Sequence, residues 1–288
     1  MRGGVLFDPR CWRMDLPELT RRQRVGLWLD GRSGLQTPAD ALSFMSEVGV
    51  ALRYGAATNL PLASMYRATQ CQAPILEEEK PAHARAFELT NALLGNGSAV
   101  EINLIANRLA LAHTRLMPAI YALRREHTEP RVSDAARRAL EFITDNETAT
   151  SGDIRHLLNA DGQPRPDAAD LALAELQREL LVDRGPSSGS GQGVFYLTRE
   201  GYPYRLFASS HQRIVSTASG LRRPDAVAAL LSAYLSAAVF GTRRKLRSVF
   251  QLLLSADDID LAITELTDRG VVQPRRIGNA EVVVHRAA

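Results

Sequence analysis

Two stretches of the chain carry the same pattern, Asp-Leu-Ala-x-x-Glu-Leu, at residues 170–176 and again 90 residues further on at 260–266. Each helical pattern leads into a short apolar pair, Leu181 with Val182 and Val271 with Val272. Such a repeat constrains the architecture more than composition does, because one small helix-then-strand unit must be used at least twice.

Extending outward from each copy predicts the same order of elements. In the earlier unit, Ser133 and Asp134 cap a helix with Ala136, Leu140 and Ile143 on its apolar face. Thr150 to Asp153 start a second helix, with Ile154, Leu157 and Leu158 turned inward, and Asp167 opens a third bearing Leu171, Leu173, Leu176 and Leu180. Strands are predicted at 181–183 and 194–197, with the Gly/Ser-rich tract 185–193 as the turn between them. In the later unit, helices are expected from Pro224, from Arg243 to Leu253 and from Ser255 to about Asp268, ended by Gly270. Strands at 271–272 and 281–284 turn at Gly278 and Asn279. Three helices and a hairpin make a winged helix-turn-helix. The expected fold is therefore mainly α with small β-hairpins (α+β), as tandem winged helices over 130–210 and 211–288.

The first part of the chain is less regular. Residues 1–36 form an Arg-rich segment, expected as a solvated helix face with an apolar anchor around Val25 to Leu29. Residues 37–129 are read as a helical N-terminal domain, with a divergent winged helix as the alternative. Thr37 and Pro38 start a helix that stops at Gly49, a short strand follows, and further helices are placed at 62–69 and 82–94. The apolar stretch from Val100 to Leu123 is broken near Pro118.

Cys11 and Cys71 are the only cysteines. They supply neither a disulfide framework nor a four-cysteine metal site, so a reducing compartment is the expectation. The opening residues lack a leader's apolar core, and the apolar run 227–240 is too short to span a bilayer. A cytoplasmic, nucleoid-associated location without membrane contact follows.

Motifs for enzyme chemistry are missing. The Gly/Ser tract has no Lys-Ser/Thr of a phosphate-cradling loop, and the six histidines show no metal-ligand spacing. No cofactor is expected. The remaining signal is basic: the net charge is +3, arginine supplies nearly all of the cations, and they cluster. Arg243, Arg244, Lys245 and Arg247 open the middle helix of the later unit, Arg275 and Arg276 lie in its hairpin, and Arg155 lies in the middle helix of the earlier unit. These seven are the expected contacts to the phosphates of duplex DNA. The third helices begin with Asp167 and Asp170, or with Asp257, Asp258 and Asp260, which argues against major-groove reading by them. A winged helix used for protein contacts, as a regulator or scaffold, is the alternative.

The chain resembles the AlkZ/YcaQ group, the bacterial winged-helix DNA glycosylases and their shorter AlkZ-related relatives. The resemblance rests on Thr37 to Leu52, on 174–182 with 193–197 and 205–207, and on Ala226 to Val272. It implies tandem winged helices with a basic concave surface for duplex DNA and, in active members, excision of alkylated or cross-linked bases. It also implies a catalytic Gln-x-Gln or Gln-x-Asp after the Leu-Gly that ends an early helix. That slot follows Gly49, where Ala51 and Arg53 stand instead, so the chain is most like the members without the motif. Gln70 and Gln72 spell Gln-x-Gln further along and are the remaining nominees for a glycosylase.

Overall fold

The computed structural model describes residues 15–55, 60–70, 79–125, 130–186 and 202–287. One order of elements occurs three times. The first unit runs α2 (Pro38–Val48), β1 (Val50–Leu52), α3 (Met65–Thr69), α4 (Glu79–Gly95), β3 (Ala99–Ile105) and β4 (Arg108–His113), with a short β2 (Ala63–Ser64) just before α3; α1 (Leu16–Gly26) precedes it. After α5 (Met117–Arg125), the second unit runs α6 (Asp134–Asn146), β5 (Thr148–Thr150), α7 (Ser151–Leu157), α8 (Ala168–Arg178), β6 (Val182–Arg184) and β7 (Pro203–Leu206). Two short helices, α9 (Phe207–Ser210) and α10 (Gln212–Ala218), lead on to the third unit. It comprises α11 (Arg223–Ala238), β8 (Phe240–Gly241), α12 (Arg243–Phe250), α13 (Ala256–Asp268), β9 (Val272–Ile277) and β10 (Ala280–His285).

Each unit builds a small sheet in which the last strand lies between the other two. The orders are β1-β4-β3, with β2 added in parallel on the β1 edge, then β5-β7-β6 and β8-β10-β9. All the other pairings are antiparallel. The helix starts are written in the sequence: Thr37, Thr150, Asp167 and Ser255 each accept from the third backbone N–H of their helix, while Asp40, Asp153, Asp170 and Asp258 return the bond.

Two backbone devices recur at the same place in every unit. Between first helix and first strand sits one residue with left-handed backbone: Gly49 at φ 72°, Glu147 at 61° and Val239 at 63°. The third helix closes with another, Gly97, Leu180 and Gly270, after which the next N–H bonds back to the carbonyl of a buried leucine: Ser98 to Leu93, Leu181 to Leu176, Val271 to Leu266. The repeat seen twice in the sequence is therefore threefold in the backbone. At Gly49 the conformation and the space both require glycine, since a Cβ would lie 2.7 Å from Leu116 Cδ1. Glu147 meets only the conformational cost and is exposed. Glu147→Gly is therefore expected to stabilise the protein by about 0.5–1 kcal/mol. A lower denaturation midpoint for that variant would show that the glutamate side chain, not the backbone, decides the position.

The region 37–129 was expected to be mainly helical with one short strand after Gly49, and its described part carries four strands. The apolar stretch after Val100 contains the β3–β4 hairpin, closed by Ala106 and Asn107 at φ 52° and 53°, the geometry of a two-residue type I′ turn. A continuous apolar run does not separate a buried strand from a buried helix, which is why the period did not reveal it. The strand expected at 194–197 lies outside the described residues; the strand pairing with β6 is Pro203–Leu206.

The cores are shared unequally. The first and third units contribute to one continuous apolar cluster, in which Phe44, Met45, Leu93 and Leu111 join Leu231, Leu235, Phe250 and Ile263. The second unit holds a core of its own, around Ile143, Ile154, Leu173 and Leu176. On the outer face of the third sheet, α1 adds Leu19 against Val239, Val282 and Val284. Gln23 Nε2 donates to the carbonyls of Ala238 and Phe240, on either side of the left-handed Val239. The Arg-rich start is thus anchored, with Arg21 and Arg22 paired to Glu18 on the helix itself. No helix among the described residues is long and apolar enough to cross a membrane.

Candidate nucleic-acid interface

The shared aspartate of the repeat is an ion-pair partner for the middle helix. In the second unit Arg155 Nε lies 2.6 Å from Asp167 Oδ2, and Nη2 lies 3.2 Å from Asp170 Oδ1. In the third unit Arg247 Nη2 lies 3.0 Å from Asp260 Oδ2. Arg155 and Arg247 both stand five residues after the capping threonine of their helix, so the two bridges are copies of one another. Arg243 adds to the second of them, 2.8 Å from Asp260 and 2.7 Å from Glu281 on β10, and its guanidinium is held more firmly protonated by Glu281 first and by Asp260. The first unit places Thr69 and Phe87 at the corresponding positions and has no such bridge.

The seven basic residues singled out in the sequence therefore divide. Arg155 is 4% exposed and packed against the third helix of its own unit, facing inward. Arg243 and Arg247 are engaged by carboxylates. Arg244 and Lys245, on the first turn of α12, are exposed, and no described carboxylate pairs with them. Arg276 is exposed too, opposite Glu281 in the hairpin. Because strand side chains alternate, Arg275 points to the other face of the hairpin, the face that α1 covers. The structure leaves Arg244, Lys245 and Arg276 exposed, lets Arg275 share a surface groove with Arg276 and Glu281, and buries Arg155 away from them.

The third helices present an unexpected group outward. Leu171 and Leu261, the same position of the repeat, are 60% and 72% exposed. A leucine offers no hydrogen bond to a base edge.

The slot after Gly49 is filled by a buried charged cluster. Ala51 is buried in β1, between Ala63 and Leu111. Arg53, 2% exposed, places Nη1 2.5 Å from Glu101 Oε2 on β3 and donates from Nη2 to the Tyr202 hydroxyl at 2.8 Å. Arg184, on β6 of the second unit, bonds the same Glu101 carboxylate and lies 4.2 Å from the centre of the Tyr202 ring. Burial would push the Glu101 carboxyl up, but Arg184 and Arg53 overcome it and hold the carboxyl below its ordinary value. Both arginines stay protonated: burial opposes it, and Glu101 outweighs burial. Sequence reading missed this cluster. Its one signal was a lone charge inside each apolar strand pattern, Arg53 after Val50 to Leu52 and Glu101 between Val100 and Ile102.

Of the Gln-x-Gln nominees, Gln72 lies outside the described residues. Gln70 follows α3 and donates from Nε2 to the Tyr66 hydroxyl at 2.9 Å; the Tyr66 ring stacks on His83 at 4.0 Å.

The fold is one that a DNA glycosylase also adopts. The solved structure is the Streptomyces sahachiroi DNA glycosylase AlkZ, which matches 95% of this chain and 70% of its own with a TM-score of 0.58 and 13% sequence identity. The chain thus has an AlkZ-like fold. No protein-family model and no curated protein matches it.

Proposed function

We propose that this protein is a duplex-DNA-binding relative of the alkylation-repair glycosylases, built from three tandem winged helices and without base-excision chemistry at the family's slot. The observation that carries the reading is the division of charge on α12. Arg243 and Arg247 are tied to Asp260, whereas Arg244 and Lys245 are exposed and no described carboxylate pairs with them. Exposed flexible cations of this kind serve phosphate contacts, which position a protein on DNA without reading sequence. The winged-helix assignment is supported by the threefold element order and by the sheets with the last strand in the middle. Sequence-independent binding is supported by the outward leucines and the acidic starts of the third helices. The absence of excision is supported by Arg53, which stands where a carboxamide would position water and is locked onto Glu101.

The test is a titration of a short fluorescent duplex across salt concentrations, run beside an excision assay. Binding is expected to weaken steeply with salt. Undetectable binding at low salt would sink the DNA reading in favour of protein contacts. Incubation with alkylated and cross-linked duplexes is expected to leave no abasic sites. A second reading is an active glycosylase working through Gln70, which donates to the Tyr66 hydroxyl at 2.9 Å, with the Tyr66 ring packed close to Gly55, two residues past Arg53. Excision that disappears in Gln70→Ala would establish that reading instead.

A further inference from the structure

We propose that His211, Arg115 and Arg213 form a second site, a cleft that binds a phosphate group. The residue behind the cleft is Asp183 on β6, 3% exposed. Its carboxylate lies 2.8 Å from His211 Nε2 and accepts from Arg205 Nη2 at 3.0 Å. Burial raises the Asp183 carboxyl, but His211 and Arg205 outweigh it and keep the group ionised. An ionised carboxylate only accepts, so Nε2 carries the hydrogen of this bond. That fixes the ring and leaves Nδ1 as its working atom, with no hydrogen-bond partner among the described residues. The ring is further held by Phe207, 4.7 Å away, which stacks on Tyr121 at 5.2 Å.

The same imidazole lines a cleft of about 460 Å³ between the end of the first unit and α10. Thr114, Arg115, Ser210, Arg213 and Thr217 share the wall, and among the described residues no carboxylate lines it. Arg115 is steadied by one bond from Nη2 to the Ser46 carbonyl at 2.8 Å, and Arg213 is exposed. Two guanidiniums, a hydroxyl from Ser210 and an oriented imidazole form a set of donors suited to phosphate oxygens. The imidazole suits either protonation state: neutral Nδ1 accepts from a phosphate O–H, and the imidazolium donates to the dianion. A buried acid that orients a histidine from behind is the arrangement of binding and catalytic sites rather than of a solvated surface residue. The phosphate comes either from a free phosphate ester or from a DNA backbone.

The test uses the full chain and inorganic phosphate as the probe, following the His211 imidazole by heteronuclear NMR. A saturable shift is expected, with Arg213→Ala weakening the affinity about tenfold, the loss of one charge-assisted hydrogen bond, and Arg213→Lys recovering much of it. His211→Gln lacks the reporter ring, so its phosphate binding is read by titration calorimetry; it should be lost while the fold, read by circular dichroism, persists. Displacement of phosphate by a short duplex would name the DNA backbone as the source. Phosphate that stays bound while anisotropy shows the duplex bound would name a free phosphate ester. Absence of a saturable shift, or an unchanged affinity in Arg213→Ala, would overturn the site. So would an equal loss in Arg244→Ala with Lys245→Ala, which belong to the α12 surface. That comparison separates failure here from failure of the DNA-binding reading.

Discussion

Replacing Glu101 with alanine is expected to lower the free energy of unfolding by about 3–5 kcal/mol, because it leaves two buried guanidiniums with no counter-charge. Arg53 and Arg184 come from different units and meet on this one carboxylate, so its loss also sets two like charges against each other across the junction. Replacing all three residues together, as Arg53→Met, Glu101→Leu and Arg184→Met, is expected to be neutral or stabilising by about 1–4 kcal/mol, since no ion then remains to be desolvated. Denaturant unfolding of both variants measures the difference. A loss under 1 kcal/mol in Glu101→Ala would mean that water reaches the cluster. The pH dependence has a definite sign. The folded carboxyl titrates below its unfolded value, so its stabilisation is present above the ordinary carboxylate range and is lost as pH falls through the folded value.

The joint variant Arg244→Ala with Lys245→Ala is expected to lose about a hundredfold in duplex affinity at low salt. Two charge-assisted contacts of about 1.5 kcal/mol each give that factor. Because each phosphate contact releases about one counterion, the slope of log affinity against log salt should flatten by about two. The informative control is Arg155→Ala, which breaks the bridges to the buried Asp167 and the half-buried Asp170. It should lose stability with an unchanged salt slope. If Arg155→Ala and the α12 variant flattened the slope alike, the assignment of α12 as the contact surface would fail.

The repeat was legible because its leucines repeat at helical spacing: Leu176 and Leu266 hold the same place, and so does Leu93, whose neighbours kept nothing else of the motif. What the first unit shares with the others is carried by backbone angle at Gly49, Glu147 and Val239, three unlike residues that no side-chain pattern links. The basic clusters were legible as composition, but not their division. Whether an arginine faces solvent depends on Asp260 or Glu281, which stand far along the chain. The Arg53–Glu101–Arg184 cluster and the Asp183–His211 pair escaped for the same reason, since each is assembled from elements of distant sequence. Leu171 falls outside the buried face that Ala169, Ala172, Leu173 and Leu176 make, which leaves it on the solvent side of α8.

The unequal sharing of the two cores bears on how the chain comes to be folded. The second unit can bury its leucines as soon as it has been synthesised. The first unit cannot: Phe44, Leu93 and Leu111 share their cluster with α11 and its neighbours, which are synthesised well after it. Domains ordinarily fold in the order they emerge, but here the first unit must wait for the third, with the second formed between them. Loop closure of that span comes before its reward in buried surface. During synthesis the N-terminal third is the part most in need of protection from premature contacts.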